Sequence, residues 1–294
     1  MFPFSLHRVF QVGSVSSRAV SSRPAGQLGV PLRVRNLRLC REIYEAFPES
    51  AGRLLPFVFF DPARRPREQA AGIRKLAARY PLFGLKTATS YQHSLITTLL
   101  GKGRCLLDLA AELNIPVTIH SAVLPGDPWA NVFEILKVVK ACPEVRFAIA
   151  HTCRFDRRAL ETAAGLANCF VDFSAFHIHC TLAQQNHLAV AAKPDRFPAD
   201  YRCHAAAMQK IAEAYPSTML WGSDTPANYW KSRFRNDQGQ EVWMDLPCGP
   251  TTEVEELRKL PVPLQQKIAH HNSTRFLFGE PQAKRAHTGK IPAV

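Results

Sequence analysis

Six short apolar runs recur along the chain, and the segments between them carry helical spacing. The runs cover residues 54–60, 82–87, 115–120, 145–151, 169–173 and 218–223. Each is of strand length and apolar on consecutive positions, the pattern of a strand covered on both faces. Residues 67–80, 94–113 (broken at Gly101-Lys102-Gly103), 131–140, 157–166 and 205–215 read as the intervening helices. A helix over 36–47, ended by Pro48, precedes them, and a mostly helical stretch over 263–278 closes the pattern. Strand and helix in alternation predict an α/β fold with a parallel sheet. A (β/α)8 barrel of the TIM type would need two more strands; a doubly wound open sheet is the alternative. No Gly-x-Gly-x-x-Gly follows a strand and no phosphate loop is present, so a nucleotide-binding sheet lacks its usual mark.

The chain has 294 residues, enough for one large barrel domain. Its net charge of +13 invites a nucleic-acid reading, but seven arginines fall within residues 1–41, where no acidic residue occurs, and the rest carries only +6. No basic stripe interleaved with aromatics is present, so no nucleic-acid partner is expected. No apolar run approaches the roughly 20 residues that span a bilayer, so no membrane partner is expected either. The eight cysteines form no Cys-x-x-Cys pair and read as free thiols of a reducing cytoplasm. Residues 1–35 read as an irregular or disordered arm, 36–280 as the barrel domain and 281–294 as a flexible tail. Residues 1–30 are rich in Arg and Ser and free of acid, which leaves a mitochondrial transit peptide as the alternative to a cytoplasmic location.

Four of the runs end on, or lead directly into, a polar residue that opens a loop: Lys86, His120, His151 and Asp224. In a parallel barrel all strand C-termini share one face, so side chains 30 to 70 positions apart would meet there. Two imidazoles and a carboxylate are ligand types that a divalent transition metal takes, and such an ion brings the pKa of bound water to about 7.

The run 115–120 (Ile-Pro-Val-Thr-Ile-His), the run 146–151 (Arg-Phe-Ala-Ile-Ala-His) and the run 219–226 (Met-Leu-Trp-Gly-Ser-Asp-Thr-Pro) resemble, in order, the fifth, sixth and eighth strands of the amidohydrolase-related group of the amidohydrolase superfamily. Gly84-Leu85-Lys86 resembles the fourth strand, and residues 272–279 (Asn-Ser-Thr-Arg-Phe-Leu-Phe-Gly) resemble the closing helix. The resemblance covers about residues 36–280 and implies a TIM-type barrel acting on a small-molecule substrate. The group holds metal-dependent hydrolases and non-oxidative decarboxylases of the aminocarboxymuconate-semialdehyde type. It implies His120 as a metal ligand, His151 as general acid/base or ligand of a second metal, and Asp224 as metal ligand and proton acceptor. Lys86 is carbamylated and bridges two metals in some branches; here it is expected to contact substrate. The ion implied is zinc, with manganese or iron as alternatives.

The group opens with a strand ending in Asp-x-His-x-His, which supplies two ligands, and nothing like it precedes Asn36. The barrel is therefore expected to be incomplete at its N-terminus. Three explanations stand open: a start downstream of the true one, a barrel without catalysis, or a substituted site. For the last, His177-Ile178-His179 repeats the missing spacing on what reads as a loop of the same face, with Cys180, Cys203 and His204 nearby. Failing that, His177 is expected to shape substrate access. Trp221, Trp230 and Trp243 are expected to line the pocket or pack elsewhere, and His270 and His271 to be structural. An open barrel edge would favour pairing with another chain, so a homo-oligomer is open.

Overall fold

The computed structural model describes residues 31–280 apart from 226–228, 236–240 and 248. The expected N-terminal arm, up to residue 30, and the tail lie outside the described residues. Helix α1 (Leu32–Arg41) starts four residues before the expected position and tightens into a π turn, Glu42–Ala46. There follow β1 (Phe57–Phe59), α2 (Pro66–Ala77), β2 (Gly84–Thr87), the short α3 (Thr89–Gln92), a 3-10 segment (Ile96–Leu100) and α4 (Arg104–Glu112). The helical stretch over 94–113 is parted at the expected Gly101–Gly103 break, and its first piece is a 3-10 segment rather than an α-helix. Next come β3 (Val117–Ile119), α5 (Val132–Ala141), β4 (Phe147–Ile149), α6 (Arg157–Ala164), β5 (Cys169–Asp172), α7 (Phe176–Gln184), α8 (His204–Ala214) and β6 (Met219–Leu220). An antiparallel hairpin, β7 (Tyr229–Arg235) and β8 (Glu241–Pro247), follows, then α9 (Pro250–Arg258), α10 (Val262–Gln266), a π turn (Lys267–His271) and α11 (Asn272–Phe278). Neither the hairpin nor α9 was expected. No helix among the described residues is long and apolar enough to cross a membrane.

The six expected strands form one sheet in sequence order, β1-β2-β3-β4-β5-β6, with every pair parallel. Side chains alternate across it. Leu85, Val117, Ile119, Phe147, Ile149 and Val171 face outward into a large core beneath the helices. Phe57, Ala148, Phe170 and Leu220 face inward and meet Phe276 and Leu277 of α11. The Phe276 ring stacks on Phe57 of β1 at 6.1 Å and meets Phe170 of β5 edge-on at 5.5 Å. Strands four places apart reach the same ring only because the sheet curls around it, as in a barrel. Gly84 fits this interior: a Cβ there would lie 2.1 Å from the Phe57 ring. Gly84→Ala is expected to destabilise the fold by about 1–3 kcal/mol, read as a fall in denaturant midpoint; an unchanged midpoint would mean that Phe57 moves freely.

Both outer edges of the sheet are met by buried asparagines. On β1, Asn36 Nδ2 donates to Phe59 O and Asn36 Oδ1 accepts from Phe59 N, both at 2.8 Å. On β6, Asn272 Nδ2 donates to Met219 O at 2.8 Å, and Trp221 N donates to Ile268 O at 3.0 Å. Side-chain amides here answer the backbone groups that a further strand would pair.

Candidate active site

Period-two alternation brings three of the expected residues to one end of the sheet. Gly84 and Lys86 share the inner face of β2, His120 follows the parity of Thr118, and Asp224 follows that of Leu220 and Gly222. His151 arrives differently. Residues His151, Thr152, Cys153, Arg154 and Phe155 all have positive φ, between 48° and 68°, and wind one left-handed turn at the end of β4. Each such non-glycine residue costs on the order of 1 kcal/mol or more. The surroundings hold the turn: His151 N donates to Asp172 Oδ1 at 3.0 Å, and Ala191 N and Phe197 N donate to the carbonyls of Arg154 and Phe155 at 2.9 and 2.8 Å. Cys153 and Phe155 are fully buried beneath it.

This turn delivers Arg154 between two histidines. Its Nε–H donates to Ser121 O at 2.7 Å, its NH2 group to His120 Nε2 at 3.2 Å, and its NH1 group to His179 Nε2. A guanidinium only donates, so both Nε2 atoms are unprotonated acceptors. The remaining protons follow. His120 carries its proton on Nδ1 and donates to His151 Nε2 at 2.9 Å. His151 then carries its own on Nδ1 and donates to Ser174 O at 3.1 Å. His179 Nδ1 donates to Ala175 O at 2.8 Å. Ser174 is fixed in turn by Asp172, which accepts from both its backbone N–H and its hydroxyl. One chain of bonds, Arg154–His120–His151–Ser174, therefore has a single consistent direction.

Electrostatics agree with neutral rings. Burial, then the Arg154 charge, holds His120, His151 and His179 well below the usual histidine range. Lys86 adds to this at His120 and His151. Asp224, itself at φ 60°, is pushed up to about 6 by burial, with Lys86 opposing the rise and Asp172 adding to it. Tyr91, 68% exposed, stands at the rim with its ring 5.6 Å from that of His120.

The structure thus brings Lys86, His120, His151 and Asp224 together with His179, which the sequence offered as half of a substituted site on this face, and adds Arg154, which sequence reasoning did not single out. His177 and Trp221 are not brought to this end. His177-Ile178-His179 lies on α7 rather than a loop, and side chains two positions apart on a helix diverge by about 200°. His179 turns inward; His177 packs its ring 4.2 Å from that of His204, and its N–H meets the carboxylate of the buried Glu253. Cys180 is fully buried, and among the described residues no three His, Cys, Asp or Glu side chains converge, so the alternative zinc grouping around His177 and His179 is not assembled. Trp221 packs against the outer core, one position out of phase with the inward Leu220. Trp230 lies on β7, and Trp243 of β8 is largely exposed. A recess of about 900 Å³ beside Gln184, Lys193, Arg196 and Tyr201 is lined by none of the site residues.

A metal takes imidazole nitrogens only in unprotonated form, and His120 Nε2 and His179 Nε2 are both unprotonated and both already face a cation. With Asp224 they are donors of the kind zinc, manganese or iron accepts, so the set fits a divalent ion in kind. Among the described residues no three His, Cys, Asp or Glu side chains converge to hold one.

The sequence matches the family model described as amidohydrolase over residues 27–279. No curated protein matches the chain. Among solved structures, an uncharacterised TIM-barrel protein from Bordetella bronchiseptica is 14% identical with a TM-score of 0.52, covering 82% of this chain and 71% of its own. A zinc-bound amidohydrolase from Burkholderia multivorans is 11% identical with a TM-score of 0.51, covering 83% and 79%. Dihydroorotase from Campylobacter jejuni is 15% identical with a TM-score of 0.50, covering 82% and 70%. At such identities these neighbours speak for the fold alone, a TIM-type barrel to which the six parallel strands correspond. The family match spans most of the chain, and it carries the broader inference of a metal-dependent hydrolase-like enzyme: the protein belongs to the amidohydrolase family.

Proposed function

We propose that the chain is a metal-dependent hydrolase that cleaves a C–N or C–O bond of a small organic substrate bound at the strand ends. The observation that carries the reading is the directed chain Arg154–His120–His151–Ser174 facing a carboxylate, Asp224, whose pKa is raised to about 6. A general base works best when its pKa lies near the working pH, and Asp224 has been moved there. It takes the proton of the attacking water and returns it to the leaving group. Lys86 and Arg154 offset the negative charge that develops on the carbonyl oxygen. His151 has both ring nitrogens engaged, so it acts through His120: it fixes the tautomer that leaves His120 Nε2 unprotonated. His120 and Asp224 are the residues that would hold a divalent ion, and such an ion, when bound, acidifies water.

The test is hydrolysis of a panel of lactones, cyclic amides and N-acyl amino acids, with product analysis for carbon dioxide and elemental analysis for zinc, manganese and iron. Wild type is expected to turn over at least one class, and His120→Ala is expected to lose about 10²-fold or more in kcat. Release of carbon dioxide without hydrolysis would transfer the site to a decarboxylase. No turnover and no metal in the wild type would mean a barrel without catalysis.

A further inference from the structure

The loop between α7 and α8 holds the left-handed turn at the end of β4. Ala191 N and Phe197 N donate to the carbonyls of Arg154 and Phe155, Arg157 N donates to Asp195 O at 2.9 Å, and Asp156 forms a backbone bridge to Arg196. One side chain stitches that loop to the end of α7. Arg196 Nε donates to Ala191 O at 2.9 Å, and its NH1 group donates to Ala183 O at 2.6 Å. Ala191 therefore binds Arg196 through its carbonyl and Arg154 through its N–H. The NH2 group of Arg196 reaches only Asn186 Oδ1, at 3.5 Å.

Arg196 is partly buried, and among the described residues no carboxylate oxygen lies within 4.0 Å of its guanidinium. Burial lowers its pKa and only the Tyr201 phenol opposes the shift; burial also keeps that phenol protonated, so it supplies no negative charge. Asp195, its neighbour in sequence, acts on Asp156 instead, and Asp200 is taken by the Arg202 guanidinium in two bonds, at 2.9 and 3.0 Å. A guanidinium stays charged at neutral pH and carries five N–H groups, of which Arg196 uses at most three. The unused ones lie on NH1 and NH2, the fork that grips an anionic group with two oxygens. Arg196 lines the recess of about 900 Å³ beside Gln184, and Arg157, Lys193 and Arg202 line it too. Lys193 is exposed and makes no ion pair within 4.0 Å among the described residues. Several cations around one recess favour a phosphoryl group, which carries about two negative charges where a carboxylate carries one. The volume admits a molecule of metabolite size.

We infer that this recess is a second ligand site, which takes a phosphoryl group on Arg196 and Lys193, and that its occupancy tightens the clamp on the turn carrying Arg154. An anion there neutralises Arg196 in the pose that bonds Ala183 O and Ala191 O, so the bound state disfavours opening of the loop. The left-handed turn is strained and depends on that loop for its hold. The inference stands on the loop and the recess, whatever reaction the strand ends perform.

The test is calorimetric titration of the full chain with inorganic phosphate, glycerol phosphate and acetate at constant ionic strength, followed by amide hydrogen exchange with phosphate present. Phosphate is expected to bind with a millimolar or tighter Kd, and acetate at least about 10-fold more weakly. Glycerol phosphate binding more tightly than phosphate assigns the recess to a phosphate ester; otherwise its ligand is free phosphate. Lys193→Glu, a change at an exposed position, and Arg196→Lys, which keeps the charge but loses the fork, are each expected to weaken phosphate binding by about 10-fold. The Lys193 variant decides the matter if the Arg196 variant does not fold. Phosphate at about ten times its Kd should slow exchange of the Ala191 and Phe197 N–H groups by about 10-fold in wild type, and by only about 2-fold at the same concentration in Lys193→Glu. Lys86→Met is expected to leave phosphate affinity unchanged. A loss of affinity in Lys86→Met would put the anion at the strand ends and overturn the inference. So would acetate binding as tightly as phosphate, unchanged affinity in Lys193→Glu, or unchanged exchange of the two amides in wild type.

Discussion

Asp224→Asn is expected to lower hydrolytic turnover by about 10²- to 10⁴-fold while making the metal-free protein more stable at neutral pH. The two effects have one cause. Burial raises the Asp224 pKa from 3.8 to about 6, so the folded chain keeps a proton there that the unfolded chain has released between about pH 4 and pH 6. The unfolded state binds fewer protons in that window, and stability therefore falls as pH rises through it. The penalty is complete above about pH 6 and absent below about pH 4. A shift of this size corresponds to roughly 2–3 kcal/mol. Asparagine has no charge to desolvate, so the variant should melt several degrees higher at pH 7, about 5 °C or more, and show no advantage near pH 4. The measurement is a pair of melting curves at the two pH values after treatment with a chelator. In protein carrying a bound divalent ion the sign should reverse, because the carboxylate then has a partner to lose. A variant destabilised at pH 7 without metal would show that Asp224 is a structural anchor and would take the base away from the proposed mechanism.

What the sequence could and could not disclose at this site divides along the local geometry. Lys86, His120 and Asp224 stand in phase with inward residues of their strands, so a polar residue at or just beyond an apolar run was a sufficient signal. His151 was also visible, but not its engagement on both nitrogens, because that depends on Ser174 two residues beyond another strand. Arg154 was hidden by the left-handed turn. Such a turn usually announces itself through Gly or Asn, and residues 151–155 contain neither. His179 was misread because His-x-His on a loop and His-x-His on a helix are the same letters; only the helix sends the two rings to opposite sides. The β7–β8 hairpin escaped for a related reason: its strands carry Lys231, Arg233, Arg235, Glu241 and Asp245, whereas the six strands of the main sheet carry only Lys86 and Asp172. The buried sheet itself was legible strand by strand, since continuous apolar runs cut by loops leave few alternatives.

Phe276→Ala is expected to cost about 3–5 kcal/mol of stability, the largest loss from one side chain in the inner core. Sequence reasoning placed residue 276 on a closing helix and went no further. Its ring is 3% exposed and touches β1 through Phe57 and β5 through Phe170, so it fills the centre of the curled sheet rather than an interface between layers. Arg146 fastens the same turn from the foot of β4, with Nε donating to Phe276 O at 2.8 Å and NH2 to Leu277 O at 3.2 Å. These backbone bonds survive the substitution, so α11 cannot easily move inward to fill the space, and a cavity remains. Phe276→Leu, which keeps most of the volume, should cost about 1–2 kcal/mol. Denaturant midpoints at constant m-value read both. The site at the opposite end of the strands should feel little: the folded fraction of Phe276→Ala is expected to keep kcat within a few-fold of wild type, because Lys86, His120 and Asp224 are positioned by strand parity and Arg154 by its own clamp. A loss below about 1 kcal/mol in Phe276→Ala would mean that the interior collapses freely, and with it would go the argument that the sheet is wound around a single aromatic plug.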